Sequence, residues 1–245
     1  MEITGQNMID RDTAVVAKKP LVLVNFKDYE VAVGMGAIDM LNMHEEVFSE
    51  LSDLADIVVV VHPTDLRGVC KASEKVSVFS QSADYLTRGS DDLPKATQTG
   101  RLTPRILCAM GVKGALVNHA ENPRTDEEIK MIVEDFKSYD PNFTLVVCAE
   151  NVERALGILN VCKPDYIALE PPELIGGDVS VTTKVDVVKE AVEKVGATLL
   201  VGAGVKTGED LKKALELGCA GVLLASGVVK PKDKTPKQAL IDLIK

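Results

Sequence analysis

Short apolar runs, rich in β-branched residues, recur along the whole chain and alternate with segments of helical period. The runs are LVLVNF (21–26), IVVVVH (57–62), VSVFS (76–80), GALVN (114–118), FTLVVC (143–148), DYIALE (165–170), TLLVGA (198–203) and AGVLLA (220–225). Their unbroken apolar character predicts strands covered on both faces, as in a parallel sheet. Between them, DEEIKMIVEDFKSY (126–139) places Ile129, Ile132, Val133 and Phe136 on one stripe, as an amphipathic helix requires. TGEDLKKALELG (207–218) offers Thr207 as an N-cap and Gly218 as a C-terminal stop. TTKVDVVKEAVEKVG (182–196) and TPKQALIDLIK (235–245) carry the same helical signature.

Eight such strands alternating with helices over 245 residues predict a single α/β domain, a (β/α)8 TIM barrel. A doubly wound open sheet is the competing architecture. It would carry a Gly-rich phosphate turn after its first strand, and NFKDYEVAVG has no GxGxxG. Two segments stand outside the alternation. Residues 1–19 are polar and mixed, and read as a loosely ordered leader ahead of a catalytic barrel at 20–245. TRGSDDLPKATQTG (87–100) is a long connection after the third strand, of the kind that is usually functional or disordered.

Composition narrows the classes. A formal charge of −9 disfavours a nucleic-acid or anionic-membrane partner, although a local basic pocket can still hold a small anion. No stretch approaches the roughly 18 uninterrupted apolar residues of a spanning helix. The start, MEITGQNMIDRDTA, lacks the basic and apolar regions of a secretory signal. Five scattered cysteines (Cys70, Cys108, Cys148, Cys162, Cys219) show no CxxC or zinc-like spacing and read as free thiols of a reducing cytoplasm. Neither a metal nor an organic cofactor is expected. His44 and His62 read as structural.

Barrels of this kind build their sites at the C-terminal ends of the strands. There the first strand ends in Asn25-Phe26-Lys27, the fourth in Asn118-His119-Ala120-Glu121, and the sixth in Glu170-Pro171-Pro172. The seventh and eighth end in small-residue turns, GAG (202–204) and ASG (225–227). A carboxylate, an imidazole and an ammonium suit proton transfer beside a carbonyl. Glu170 would remove a carbon-bound proton, His119 would polarise the oxygens, and Lys27 would offset charge on an enediolate. The two turns suit a phosphate. Pro171 and Pro172, followed by Gly176 and Gly177, give PPELIGGDVSV (171–181) the stiff entry and flexible middle of a lid.

NFK, NHAEN, ALEPPELIGG, VGAGVKTGEDLKKALELG and GVLLASGVVK, in this order from about residue 20 to the end, resemble the triosephosphate isomerase family, in its archaeal short form. The resemblance implies a glycolytic or gluconeogenic isomerase acting on a small phosphorylated triose, assembled as a homodimer or homotetramer. It implies Glu170 as base, His119 as electrophile, Lys27 as catalytic cation, and Asn25, Phe26 and Lys27 as substrate-binding residues. Ile175 and Gly176 would belong to the lid, Gly204, Ala225 and Ser226 to the phosphate site, and Glu121 to the supporting shell behind the site. The chain departs from the family in four places. The connection after the third strand, which in the family reaches a partner subunit, is several residues longer here, with Thr99 and Gly100 resembling its tip. Gly176-Gly177-Asp178 replaces Gly-Thr-Gly in the lid, and Asp178 is expected to point away from the phosphate. Ala120 replaces Ser beside the histidine, removing a hydroxyl worth about 1 kcal/mol near Glu170. Lys206 adds a cation near the phosphate turn. Another phosphosugar isomerase or epimerase, and a non-catalytic phosphometabolite-binding barrel, are the alternatives; the joint presence of Lys27, His119 and Glu170 argues against both.

Overall fold

All eight apolar runs form parallel strands, and they close into a barrel in chain order. The structure, a computed structural model, describes residues 19–177, 179–196 and 198–245. Residues 1–18 of the expected leader, and the expected orientation of Asp178, lie outside these residues. The strands are β1 (Leu21–Asn25), β2 (Asp56–Val61), β3 (Ser77–Ser80), β4 (Gly114–Val117), β5 (Thr144–Ala149), β6 (Tyr166–Leu169), β7 (Leu199–Val201) and β8 (Gly221–Leu224). Pairing of Leu21 with Gly221 and of Val24 with Leu224 joins the last strand to the first.

Strand alternation divides the core in two. Leu23, Val58, Val60, Phe79, Leu116, Val146, Cys148, Ala168, Leu200 and Leu223 pack together inside the barrel. Their neighbours in sequence, such as Val22, Val24, Val59, Val147 and Val201, belong to the layer between strands and helices. Both faces of each strand are therefore buried, which accounts for the continuous apolar runs.

The outer layer comprises α1 (Met35–Leu51), α2 (Leu66–Ala72), α3 (Pro104–Ala109), α4 (Asp126–Tyr139), α5 (Val152–Val161), α6 (Val185–Val195), α7 (Gly208–Glu216), α8 (Ser226–Val229) and α9 (Pro236–Ile244). The expected stripe on α4 is buried at Ile129, Ile132, Val133 and Phe136, and Thr125 closes a capping box with Glu128. Thr207 caps α7 and forms the same box with Asp210; caps of this kind contribute about 1 kcal/mol. Gly218 follows α7 at φ 96°, as a helix stop should.

One helix begins later than its periodicity predicts. Residues 181–183 form a short 3-10 turn and α6 starts at Val185. The hydroxyls upstream compete for the backbone: Thr182 N–H donates to Ser180 Oγ at 3.3 Å, and Thr183 Oγ1 donates to the Ser180 carbonyl at 2.7 Å.

The long connection between β3 and α3 is moored to the barrel wall. Asp135 of α4, only 8% exposed, accepts from Leu86 N–H at 2.7 Å and from the Arg88 guanidinium at 2.8 Å. Arg124 holds Asp84 at 3.0 Å, while Leu93 projects outward, 63% exposed. Among the described residues no helix is long and apolar enough to cross a membrane.

Candidate active site

Strand parity and three left-handed residues deliver the functional side chains to one mouth. Asn25 and Lys27 continue the inward positions of Leu23, and Glu170 continues those of Tyr166 and Ala168. Lys27 adopts φ 47°, Asn118 φ 61° and Ala203 φ 68°; the remaining non-glycine residue with positive φ among those described is Asp92. Such backbone costs on the order of 1 kcal/mol outside glycine and must be held by its surroundings. At Lys27 the main-chain N–H donates to Asn25 Oδ1 (3.0 Å) and the carbonyl accepts from Gln81 Nε2 (3.0 Å). At Asn118 the side chain ties strand β5 to the loop before α4, donating to the Cys148 carbonyl and accepting from Arg124 N–H, each at 2.9 Å. The step at Asn118 breaks the two-residue alternation of β4 and turns His119 into the mouth.

Four groups then form a chain. Lys27 Nζ donates to Glu121 Oε1 at 2.6 Å. The Glu121 main-chain N–H donates to His119 Nδ1 at 3.1 Å. His119 Nε2 lies 3.7 Å from Glu170 Oε2. Because Nδ1 accepts, the neutral imidazole carries its proton on Nε2, on the side facing Glu170. His119 is 6% exposed and Glu170 7%, and Glu170 Oε2 has no hydrogen-bond partner among the described residues.

An unpartnered buried carboxylate is costly as an anion. Burial pushes the Glu170 carboxyl above its ordinary value, opposed by the neighbouring His119, a hydrogen bond with Cys148 and the Lys27 ammonium, and assisted by Glu121. The result is a carboxylate more basic than usual, with a free oxygen at the edge of the cleft. Its seat requires glycine opposite. A Cβ at residue 202 would stand 2.5 Å from Glu170 Cγ and 2.6 Å from Oε1.

Beside this chain lies a cleft of about 450 Å³, bordered also by Gly204, Ala225 and Ser226 of the turns after β7 and β8 and by Ile175, Gly176 and Gly177 of the segment after β6. The turn after β7 packs directly against the end of the segment that follows β6. Gly204 has φ 71°, and a Cβ there would fall 2.0 Å from the Val179 carbonyl oxygen. A buried carboxylate, a proton-bearing imidazole and a cation thus border the same small cleft as the turns after β7 and β8.

Sequence comparison decides the family. A profile described as "Triosephosphate isomerase" matches residues 20–245. The chain belongs to the triosephosphate isomerase family. It is 38% identical over 232 residues to the triosephosphate isomerase of Methanosarcina mazei, covering 92% of this chain and 98% of that protein. Identity to the enzyme of Methanothermus fervidus is 36% over 232 residues, with the same coverages. Identity to that of Cenarchaeum symbiosum is 36% over 233 residues, covering 93% and 98%.

Of the residues that the family resemblance singles out, Asn25, Lys27, His119, Glu170, Ile175, Gly176, Gly204, Ala225 and Ser226 all border the cleft. Glu121 stands behind it, joined to Lys27 and His119. Phe26 requires a correction. Its ring is fully buried between strand and helix, 5.5 Å from the His44 ring of α1, and makes no part of the cleft. Alternation puts it on the opposite side of the wall from its two neighbours.

Other placements follow from the loops. Lys206 borders the cleft beside Gly204. Ala120 and Glu170 share a second cavity on the other side of the carboxylate, where Ala120 supplies no hydroxyl. His62 lines an adjoining cavity and pairs its Nδ1 with Thr64 Oγ1 at 2.8 Å.

Sequence reasoning missed two residues. Gln81, one past the end of β3, secures the Lys27 carbonyl, and its inward parity was the available signal. Tyr29 borders the cleft with the Lys230 ammonium 4.3 Å from its ring centre. Nothing in the sequence pattern marks it.

Proposed function

We propose that this protein interconverts D-glyceraldehyde 3-phosphate and dihydroxyacetone phosphate through an enediolate, without metal or organic cofactor. The Glu170 carboxylate takes a proton from the carbon beside the carbonyl, becoming a carboxylic acid, and the C–H electron pair moves into the new C=C bond. The carbonyl π pair passes to its oxygen. His119 Nε2–H hydrogen-bonds the oxygens on which charge collects, gives its proton to the former carbonyl oxygen and recovers one from the neighbouring hydroxyl as that oxygen becomes the new carbonyl. The Lys27 ammonium offsets the charge. Glu170 returns the proton to the adjacent carbon. Asn25 helps seat the substrate, while Gly204, Ala225 and Ser226 receive its phosphate and the segment at Ile175 and Gly176 covers it. Glu121 supports from behind, orienting the ammonium and fixing the imidazole tautomer.

The observation that carries this reading is the separation of 3.7 Å between His119 Nε2 and an unpartnered, buried Glu170 oxygen, beside a cleft that Lys27 also borders. The names of the relatives favour the same reaction, and with it a place in glycolysis or gluconeogenesis. A cytoplasmic location suits five unpaired cysteines. Assembly as a homodimer or homotetramer is supported by large apolar side chains left exposed at Met35 (76%), Leu93 (63%) and Val31 (55%). Light scattering measures the subunit number.

A coupled assay with D-glyceraldehyde 3-phosphate, with and without chelator, tests the reaction. Turnover that survives the chelator, and falls steeply in Glu170→Asp, is the expected result. Abolition by the chelator rejects the metal-free route. Phosphate binding without isomerisation would make the protein a phosphometabolite-binding barrel instead.

A further inference from the structure

The C-terminal anchor of the lid and the turn after β7 are joined through one carboxylate. Ser180 and Thr182 are buried at 6% and 3% exposure, and Val181 N–H donates to the Ala203 carbonyl at 3.1 Å. Thr182 Oγ1 donates to Asp210 Oδ1 at 3.1 Å. The Ser180 and Thr182 hydroxyls lie 2.9 Å apart, either able to donate, and the Ser180 hydroxyl also hydrogen-bonds the Asp210 carboxyl. The other Asp210 oxygen, Oδ2, accepts from Lys206 N–H at 3.0 Å, Thr207 N–H at 3.0 Å and Thr207 Oγ1 at 2.9 Å. Each oxygen of Asp210 therefore serves a different loop.

Capping α7 does not require this arrangement. The equivalent box at the start of α4 is complete with Glu128 Oε2 accepting from Thr125 alone, through its N–H (3.0 Å) and hydroxyl (3.4 Å). Asp210 does the same for Thr207 and in addition reaches Lys206 in the cleft-lining turn and Thr182 in the lid anchor. Burial, which disfavours the charge, is outweighed by hydrogen bonds from the Lys206 N–H, the Ser180 hydroxyl, and the Thr207 hydroxyl and N–H, and the carboxyl sits below its ordinary value. Gly204 also packs closely on the anchor, since a Cβ there would fall 2.0 Å from the Val179 carbonyl oxygen and 2.8 Å from Ser180 Cα.

We propose that Thr182 and Asp210 are positioning residues that set the lid anchor in register with the phosphate-receiving turn, so that breaking their contact weakens phosphate binding. The inference rests on the phosphate assignment made under Proposed function, and neither side chain touches substrate.

The test measures KM and kcat with D-glyceraldehyde 3-phosphate, the Kd of inorganic phosphate by calorimetry, and Tm. Thr182→Val keeps the shape of the side chain and removes the hydroxyl. It is expected to raise KM and the phosphate Kd about tenfold, with kcat lowered far less. Thr182→Ser restores the donor and should bring both constants back to near the parent values. Thr207→Ala breaks the capping box but spares the Thr182 contact, so it should lower Tm without moving KM or Kd. Asp210→Asn keeps one carbonyl acceptor and loses the anion, and gives a second reading should Thr182→Val fail to fold. Unchanged KM and phosphate Kd in Thr182→Val or Asp210→Asn, whatever their Tm, would overturn the proposal. Equal weakening by Thr207→Ala would do so too, by reducing the effect to stability. Because phosphate Kd is read without turnover, a parent protein that binds phosphate in this pattern yet does not isomerise would leave the link standing and remove the assigned reaction.

Discussion

The side-chain amide of Gln81 donates to the main-chain carbonyl of Lys27 at 3.0 Å, and so holds a lysine whose backbone is left-handed at φ 47°. With Asn25 accepting the Lys27 N–H, both polar groups of that strained peptide are engaged. Gln81→Leu removes one of the two clamps. A loss of about tenfold in kcat/KM is expected, larger in KM than in kcat, because Lys27 must then be ordered by the ligand. Steady-state kinetics beside Lys27→Ala, which should lose far more, checks it.

The raised Glu170 carboxyl has opposite effects on activity and stability. In the proposed reaction Glu170 acts as an ionised base, so kcat/KM should fall on acidification at a pH above the ordinary carboxylate range. For stability, the folded state holds this proton better than the unfolded chain does. That contribution is full below the unfolded pKa and lost as pH rises through the folded value. Glu170→Gln should therefore raise Tm near neutral pH while abolishing turnover, and the gain should vanish in acid. A Tm difference independent of pH would contradict the burial argument.

His44 gives the contrary stability profile. It is fully buried, and burial lowers its pKa from 6.5 to about 4, against the opposing effects of the Met40 carbonyl and Glu45. Here the unfolded chain binds the proton more readily. Stability should fall as pH drops from 6.5 towards 4, by up to about 3 kcal/mol from this residue. Denaturant titrations across that range, on the parent and on His44→Gln, measure the difference; the variant should show the shallower acid loss.

Gly202→Ala tests how tightly the base is seated. The new methyl would lie 2.5 Å from Glu170 Cγ, so the carboxylate must move. A displacement of that order costs about a hundredfold in kcat. The Kd of inorganic phosphate should change little, since Glu170 does not receive the phosphate in the proposed mechanism.

How much of this was legible beforehand differs by type of feature. The eight strands were readable because both faces of each are buried, which leaves uninterrupted apolar runs. Thr207 and Gly218 were readable because caps depend on local chemistry. The start of α6 was not, since its helical period extends upstream into residues whose hydroxyls prefer a turn. Glu170 and Lys27 follow from strand parity. His119 does not: its direction depends on the left-handed step at Asn118, which alternation cannot foresee. Gln81 is only half readable: its inward parity beyond β3 gives its direction, but its partner is a main-chain carbonyl, which leaves no mark in a pattern of side chains. Phe26 was placed with its two neighbours because the three residues were read as one motif, although a period of two separates the middle one.

Phe26 shows what that separation entails. One strand end offers Asn25 and Lys27 to the cleft while its intervening ring is wedged against His44 of α1. The helix sheath is thus mechanically in series with the side chains that hold the substrate in the proposed function. Substitutions two layers away from any bound molecule can slacken its grip, so variation in the outer shell of this barrel need not be catalytically silent.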